Sequence, residues 1–312
     1  MIRKINDTFN DGKSTADLFW DKTNTMFFYR SFRKNIDVPK DFILNINDAK
    51  KVIERYKLRG FQFGNWLTTE DRYNYIAALF ISLYDLNKVL RFPNNNLGLN
   101  ASLGIALGSR GVPNALAHFE PKNEVINISR YIREDVLKKA LENSGVEVPE
   151  HIPKNIRFIN SGGIGSFAHE YGHFLDLMFG TYTEQHEKYP FLTGPGKSVS
   201  KKRINYSSNQ PMRILVEDIF QILFYGLNPN KSKSNFAYRL EATKNDYLQN
   251  RQEIFARCFE QYISHKLLYT YKINNDFMTK PKYKAKHYLS PKEMELIIPL
   301  FDKLISLMRE KL

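Results

Sequence analysis

Two histidines one helical turn apart, with a glutamate directly after the first, constrain this chain more than any other feature. Residues 162–176 read Gly-Gly-Ile-Gly-Ser-Phe-Ala-His-Glu-Tyr-Gly-His-Phe-Leu-Asp. On a helix, His169 and His173 share a face, and imidazoles at that spacing can hold one Zn²⁺. Glu170 falls on an adjoining edge, where its carboxylate could take a proton from a metal-bound water. Gly162, Gly163 and Gly165 give a flexible approach, and Ser161 or Ser166 can cap the helix start. Phe167, Tyr171, Phe174, Leu175 and Met178 supply surface for burial, and Gly180 is a natural stop. Gly172 sits inside the helix at a cost of about 1 kcal/mol relative to Ala. Close approach by another backbone is the physical reason we expect for it.

A catalytic zinc takes three protein ligands and keeps one position open, so a third donor is needed. His186 follows on an irregular stretch, and His265 lies near a helix end. Asp176, three residues after His173, could support an imidazole N–H or itself bind the metal. Glu253 is the strongest candidate. It lies in a helical stretch over 247–265 in which Phe255, Phe259 and Tyr262 form one face and Glu253, Arg257 and Glu260 another. The competing reading is an ordinary Glu253–Arg257 surface pair worth a few tenths of a kcal/mol.

Elsewhere, Asn47-Asp48 can start a helix running to about Lys57 and ended by Gly60, with a turn in Phe-Gln-Phe-Gly-Asn-Trp. A longer helix capped by Thr68 or Thr69 carries Ile76, Leu79, Phe80, Leu83 and Leu90 on a core face. Residues 93–100 read as a loop. Ser102–Leu107, Ala115–Glu120 and Glu124–Ser129 read as a meander of short strands, with a hairpin at Pro121-Lys122-Asn123. An edge strand near such a helix could hold substrate by strand addition; His118, in this hairpin, reads as structural. Helices follow at 131–144, 212–225 and 291–311, the last containing Pro299. The stretches 181–210, with its basic run at 197–203, and 228–236 read as loops.

The 312 residues carry 46 Lys+Arg against 33 Asp+Glu, a net charge of +13. Contact of this basic surface with nucleic acid is therefore an open reading, weakened by the Lys- and Asn-rich character of the whole chain. Cys258 is the only cysteine, which excludes an intrachain disulfide and a cysteine-built zinc cluster. The first residues lack the apolar run of a signal peptide and no stretch is long enough to cross a bilayer, so a cytoplasmic protein is expected, with delivery into a host cell as the exception.

The motifs FQFGNW (61–66), LGIALGSRG (103–111), AHFEP (117–121), VINIS (125–129), HEYGHFLD (169–176) and EIFARCFEQY (253–262) resemble, in that order, the first large polyvalent protein-associated domain family, found in proteins of phages and conjugative elements. The family is regarded as zincin-like. More distantly, the chain is similar to anthrax lethal factor, whose H-E-x-G-H-x-x-D helix is paired with a downstream E-x-F-A helix that supplies a zinc-binding Glu. The resemblance implies an α+β fold, mainly helical, with a small antiparallel sheet near the H-E-x-x-H helix. It also implies an extension over 1–46 and a metallopeptidase domain over 47–312. By the same comparison Glu253 is the third ligand, and Tyr247 stands near the place of an oxyanion-stabilising tyrosine, at a spacing that does not match residue for residue. The expected activity is zinc-dependent hydrolysis of a protein or peptide substrate, with His169, His173 and Glu253 holding Zn²⁺, Glu170 as general base and Asp176 orienting a ligand imidazole. Its rivals are a zinc-stabilised effector or nucleic-acid-binding module without turnover, and hydrolysis of a non-peptide amide.

Overall fold

The computed structural model describes residues 33–34, 48–64, 69–109, 117–128, 142, 165–182, 190–194, 210–227, 232–280, 282–283 and 285–312. The expected helix at 131–144 (all but residue 142), the basic run at 197–203, His186 and the 46/47 boundary lie outside them. Two compact units divide the chain: Met1–Val89 with Asn94–Phe167 and Leu267–Pro281, and Leu90–Pro93 with Ala168–Lys266 and Lys282–Leu312. The described residues form a mixed α+β structure, mostly helical, with seven α-helices. Among them, no helix is long and apolar enough to cross a membrane.

In the first unit, helix α1 (Ala49–Tyr56) begins where Asp48 accepts from the Lys51 N–H at 3.2 Å, as its sequence predicts. It runs to Lys57 as expected, but the residue that stops it is Lys57 itself, in a left-handed conformation (φ 52°), and not Gly60. Gly60–Phe63 is then strand β2 and not part of a turn. It pairs in parallel with β3 (Gly104–Leu107), which pairs in parallel with β5 (Val125–Ile128). Only β4 (Ala117–Glu120) runs antiparallel to β5, giving the order β2-β3-β5-β4. The expected antiparallel meander is therefore corrected to a mixed sheet. Its β4–β5 hairpin is local and legible, whereas the parallel pairs depend on crossovers that leave no mark on four-residue strands. His118 on β4 lies 3.4 Å from Glu120, in keeping with a structural role.

Helix α2 (Thr69–Leu90) is buried continuously from Tyr75 to Leu83, so over that stretch it is enclosed on all sides and shows no solvated face. Its buried Ser82 and Asp85 both meet Asn275. Asn275 donates to Asp85 at 2.9 Å and to Ser82 at 3.1 Å, fixing the short strand β6 (Asn274–Asn275), which pairs with β1 (Arg33–Lys34).

The second unit contains α3 (Phe167–Gly180, all but its first residue), α4 (Pro211–Tyr225), α5 (Asn235–Glu241), α6 (Arg251–His265) and α7 (Pro291–Glu310). Helix α5 begins inside the stretch read as a loop, at Ser234, whose hydroxyl accepts from Ala237 N–H. Helix α7 starts with a capping box of Ser290 and Glu293. It turns Met294, Ile297, Phe301, Leu304, Ile305 and Met308 inward and accommodates Pro299 within its length.

Helix α6 is the buried centre of this unit: from Arg251 to Ile263 only Gln252 is not buried. Its aromatic residues divide between two neighbours. Phe255 and Tyr262 stack on Phe301 of α7, with ring centroids 5.7 and 5.1 Å apart. Phe259 instead stacks on Tyr171 of α3 at 6.3 Å. The single apolar face read from the sequence is thus a wrap around the helix.

The contact of α3 with α6 explains Gly172. A Cβ there would lie 3.1 Å from Ala256 Cα and 3.2 Å from Phe259 Cδ1, so the missing side chain lets the two backbones meet. We expect Gly172→Val to destabilise the fold by about 1–3 kcal/mol through overpacking, measured by urea denaturation. A variant as stable as the parent would contradict this packing.

Candidate metal centre

The Gly172–Ala256 approach has direct consequences for the polar residues on each side of it. On α3 the stripe is His169, Gly172, His173 and Asp176; on α6 it is Glu253, Ala256, Glu260 with Arg257 beside them. A buried helix as polar as α6 must find a partner for each such group. Arg251 forms an ion pair with Glu217 of α4 and donates from Nε to Thr193 O at 2.9 Å. Arg257 donates to Leu248 O, and the Gln261 amide exchanges two 2.9 Å hydrogen bonds with the Leu289 backbone. Glu253 and Glu260 face the histidines.

Glu253 Oε2 is 3.4 Å from His169 Nε2, and Oε1 is 3.2 Å from His173 Nε2. The two rings meet nearly edge to face, 80° apart with centroids at 4.9 Å. One ligand atom from each of His169, His173 and Glu253 falls within 4.8 Å of the others, the one such group found among the described residues. Tetrahedral zinc with bonds of about 2.0–2.1 Å separates neighbouring donors by about 3.3 Å. The carboxylate–imidazole contacts match that edge and exceed the roughly 2.7–2.9 Å of a charge-assisted hydrogen bond. Two neutral-capable imidazoles and a carboxylate are also the donor types zinc takes, so the residues fit the ion.

Charge around the site favours a cation. Burial acts to lower the His169 pKa, but the carboxylates of Glu253, Glu260 and Glu170 outweigh it and raise it to about 9. Burial acts to raise Glu253, yet the two imidazoles hold it well below the usual carboxylate range. Glu170 is itself buried, next to His169, and among the described residues no hydrogen bond from a protein group occupies its carboxylate. Of the third-ligand alternatives among the described residues, His265 closes α6, outside the cluster.

Asp176 turns toward Thr193. Its two oxygens accept from Thr193 N at 2.7 Å and from the Thr193 hydroxyl at 2.9 Å. Burial raises its pKa to about 6, offset in part by Thr193 and by the charges of His173 and Arg251. Its link to His173 is thus electrostatic, and its hydrogen bonds anchor residues 190–194 to α3. Gly180 serves the same docking, since a Cβ there would fall 2.0 Å from Pro190 O. Tyr247 stands on the turn before α6, 62% exposed, with its phenol pKa raised first by burial and then by Glu253. Arg257 joins this turn to the site, because its guanidinium also lies 3.7 Å from Glu253. The Glu253–Arg257 pair is consequently buried and not a surface pair.

Sequence reasoning did not single out Arg251, Thr193 or Glu217, and it placed Glu260 on the face of Glu253 without giving it a role. For Glu260 the available signal was its spacing of two helical turns from Glu253 on a helix otherwise rich in aromatics. Replacing Arg251 by Met removes the cation that buried Glu217 faces and the hydrogen bond to Thr193 O; we expect a loss of about 3–5 kcal/mol in chemical denaturation, and an unchanged midpoint would refute the pairing.

Neither a comparison with curated proteins nor one with solved structures yields a match. Residues 240–312, which include α6 and α7 and therefore Tyr247, Glu253 and Glu260, match the family model of large polyvalent protein-associated domain 1, the C-terminal part of the span on which the resemblance was drawn.

Proposed function

We propose that this protein is a zinc-dependent metallopeptidase with a zincin-like site, in which His169, His173 and Glu253 hold the ion and Glu170 is the general base. The observation that carries this reading is the convergence of the two His Nε2 atoms on the Glu253 carboxylate at 3.4 and 3.2 Å, with Glu170 on the adjoining edge of α3. Bound zinc would acidify a water and polarise a substrate carbonyl.

The protein's own groups supply the remaining chemistry. Glu170 accepts the proton released by the attacking water and returns it to the amine nitrogen as the peptide bond breaks. Tyr247, exposed yet within the electrostatic reach of Glu253 and Glu170, donates its hydroxyl hydrogen to the developing oxyanion. Asp176 and Thr193 keep α3 in place against residues 190–194. The substrate class is a peptide or protein.

Glu170→Gln preserves shape and removes the basic carboxylate. In digests of an unbiased peptide library by zinc-loaded protein, we expect cleavage to fall by about 10²–10⁴-fold with zinc content unchanged. Parental cleavage by this variant, or no cleavage by the loaded parent, would overturn the proposal, and the second result would favour the non-catalytic reading.

A further inference from the structure

His169 is the imidazole through which the two halves of the α6 acidic stripe are connected. Its Nε2 faces Glu253 at 3.4 Å, while Nδ1 faces Glu260 Oε2 at 3.6 Å. That Nδ1 atom is shut off from solvent and has no hydrogen bond. Glu260 is wholly buried. A buried ring N–H without a partner is costly, and a carboxylate 3.6 Å away is its natural acceptor after a closure of about 0.7–0.9 Å to charge-assisted hydrogen-bond distance. The position of Glu260 on α6 allows this: it and Glu253 lie on opposite sides of Ala256, so the His169 ring enters between them.

We propose that Glu260 is a positioning residue for metal binding: it accepts the Nδ1 proton of His169, fixes that tautomer, and leaves the Nε2 lone pair directed at the ion. This rests on the zinc-site reading above and extends it to a residue that touches neither ion nor substrate. A carboxylate behind a ligand imidazole makes the ring a better donor and limits its rotation, and loss of such a partner weakens metal binding by about 10–100-fold. His173, whose Nε2 shares the other Glu253 oxygen, has no comparable contact with Glu260 among the described ion pairs. The effect is therefore specific to one of the two imidazoles.

The test compares zinc dissociation constants, from competition with a chromophoric chelator, for the parent, Glu260→Gln and Gln261→Leu. Gln261 is buried on the same helix but is bonded to the Leu289 backbone, so it controls for general disturbance of α6. We expect Glu260→Gln to bind zinc at least tenfold more weakly and Gln261→Leu to bind as the parent does. Equal affinity for parent and Glu260→Gln, or equal weakening in both variants, would overturn the assignment. Should Glu260→Gln fail to fold, long-range ¹H–¹⁵N spectra of the zinc-loaded parent decide the matter. The assignment requires metal on His169 Nε2 and a slowly exchanging proton on Nδ1; coordination through Nδ1 would refute it. A parent that binds no zinc removes the site itself, a failure distinct from parental affinity in Glu260→Gln, which removes only the role of Glu260.

Discussion

The approach of α3 to α6 at Gly172 and Ala256 is the constraint on which the site depends. With a Cβ at Gly172 only 3.1 Å from Ala256 Cα, the backbones are as near as side-chain-free packing permits. At that separation His169 and His173 reach the carboxylate of Glu253, and His169 reaches Glu260 as well. A side chain in the gap would widen every one of these distances together. Phe301 of α7 supports the arrangement from behind by stacking on Phe255 and Tyr262, so α6 has no free face along which to retreat.

Charge and burial set the second level of organisation. Glu170, Glu253 and Glu260 are all buried, and the guanidinium of Arg257 lies 3.7 Å from Glu253. Carboxylates gathered so closely are stable only with compensating positive charge, and His169, pushed up to about 9, supplies part of it. A divalent ion would supply more while taking the place of a proton. The Glu217–Arg251–Thr193–Asp176 chain is separate in kind. It joins α4, α6, residues 190–194 and α3 through buried hydrogen bonds, and so holds the ligand-bearing helices without contributing a donor.

Local signals made much of this legible in the sequence. Asp48 marks the start of α1, the hairpin residues mark β4–β5, and Gly172 announced a close backbone contact. The parallel partners of β2 and β3 were hidden, because pairing across a helix-length crossover has no sequence periodicity of its own. The same limit applied to the site. His169, Glu170 and His173 form a contiguous pattern, and Glu253 stands out once a third donor is sought. Glu260 and Arg251 instead look like ordinary helical charges until burial is known. Asp176 was read as a support for an imidazole, but the direction of its carboxylate was set by Thr193, seventeen residues away, which no spacing rule could supply.

The central claim is that three side chains from two helices meet around one ion. Diffraction from zinc-loaded crystals, recorded on either side of the zinc absorption edge, tests it most directly. The account predicts one anomalous peak about 2.0–2.2 Å from His169 Nε2, His173 Nε2 and a Glu253 carboxylate oxygen. A peak elsewhere, or Glu253 turned away from the paired imidazoles with the ion held without it, would contradict the account.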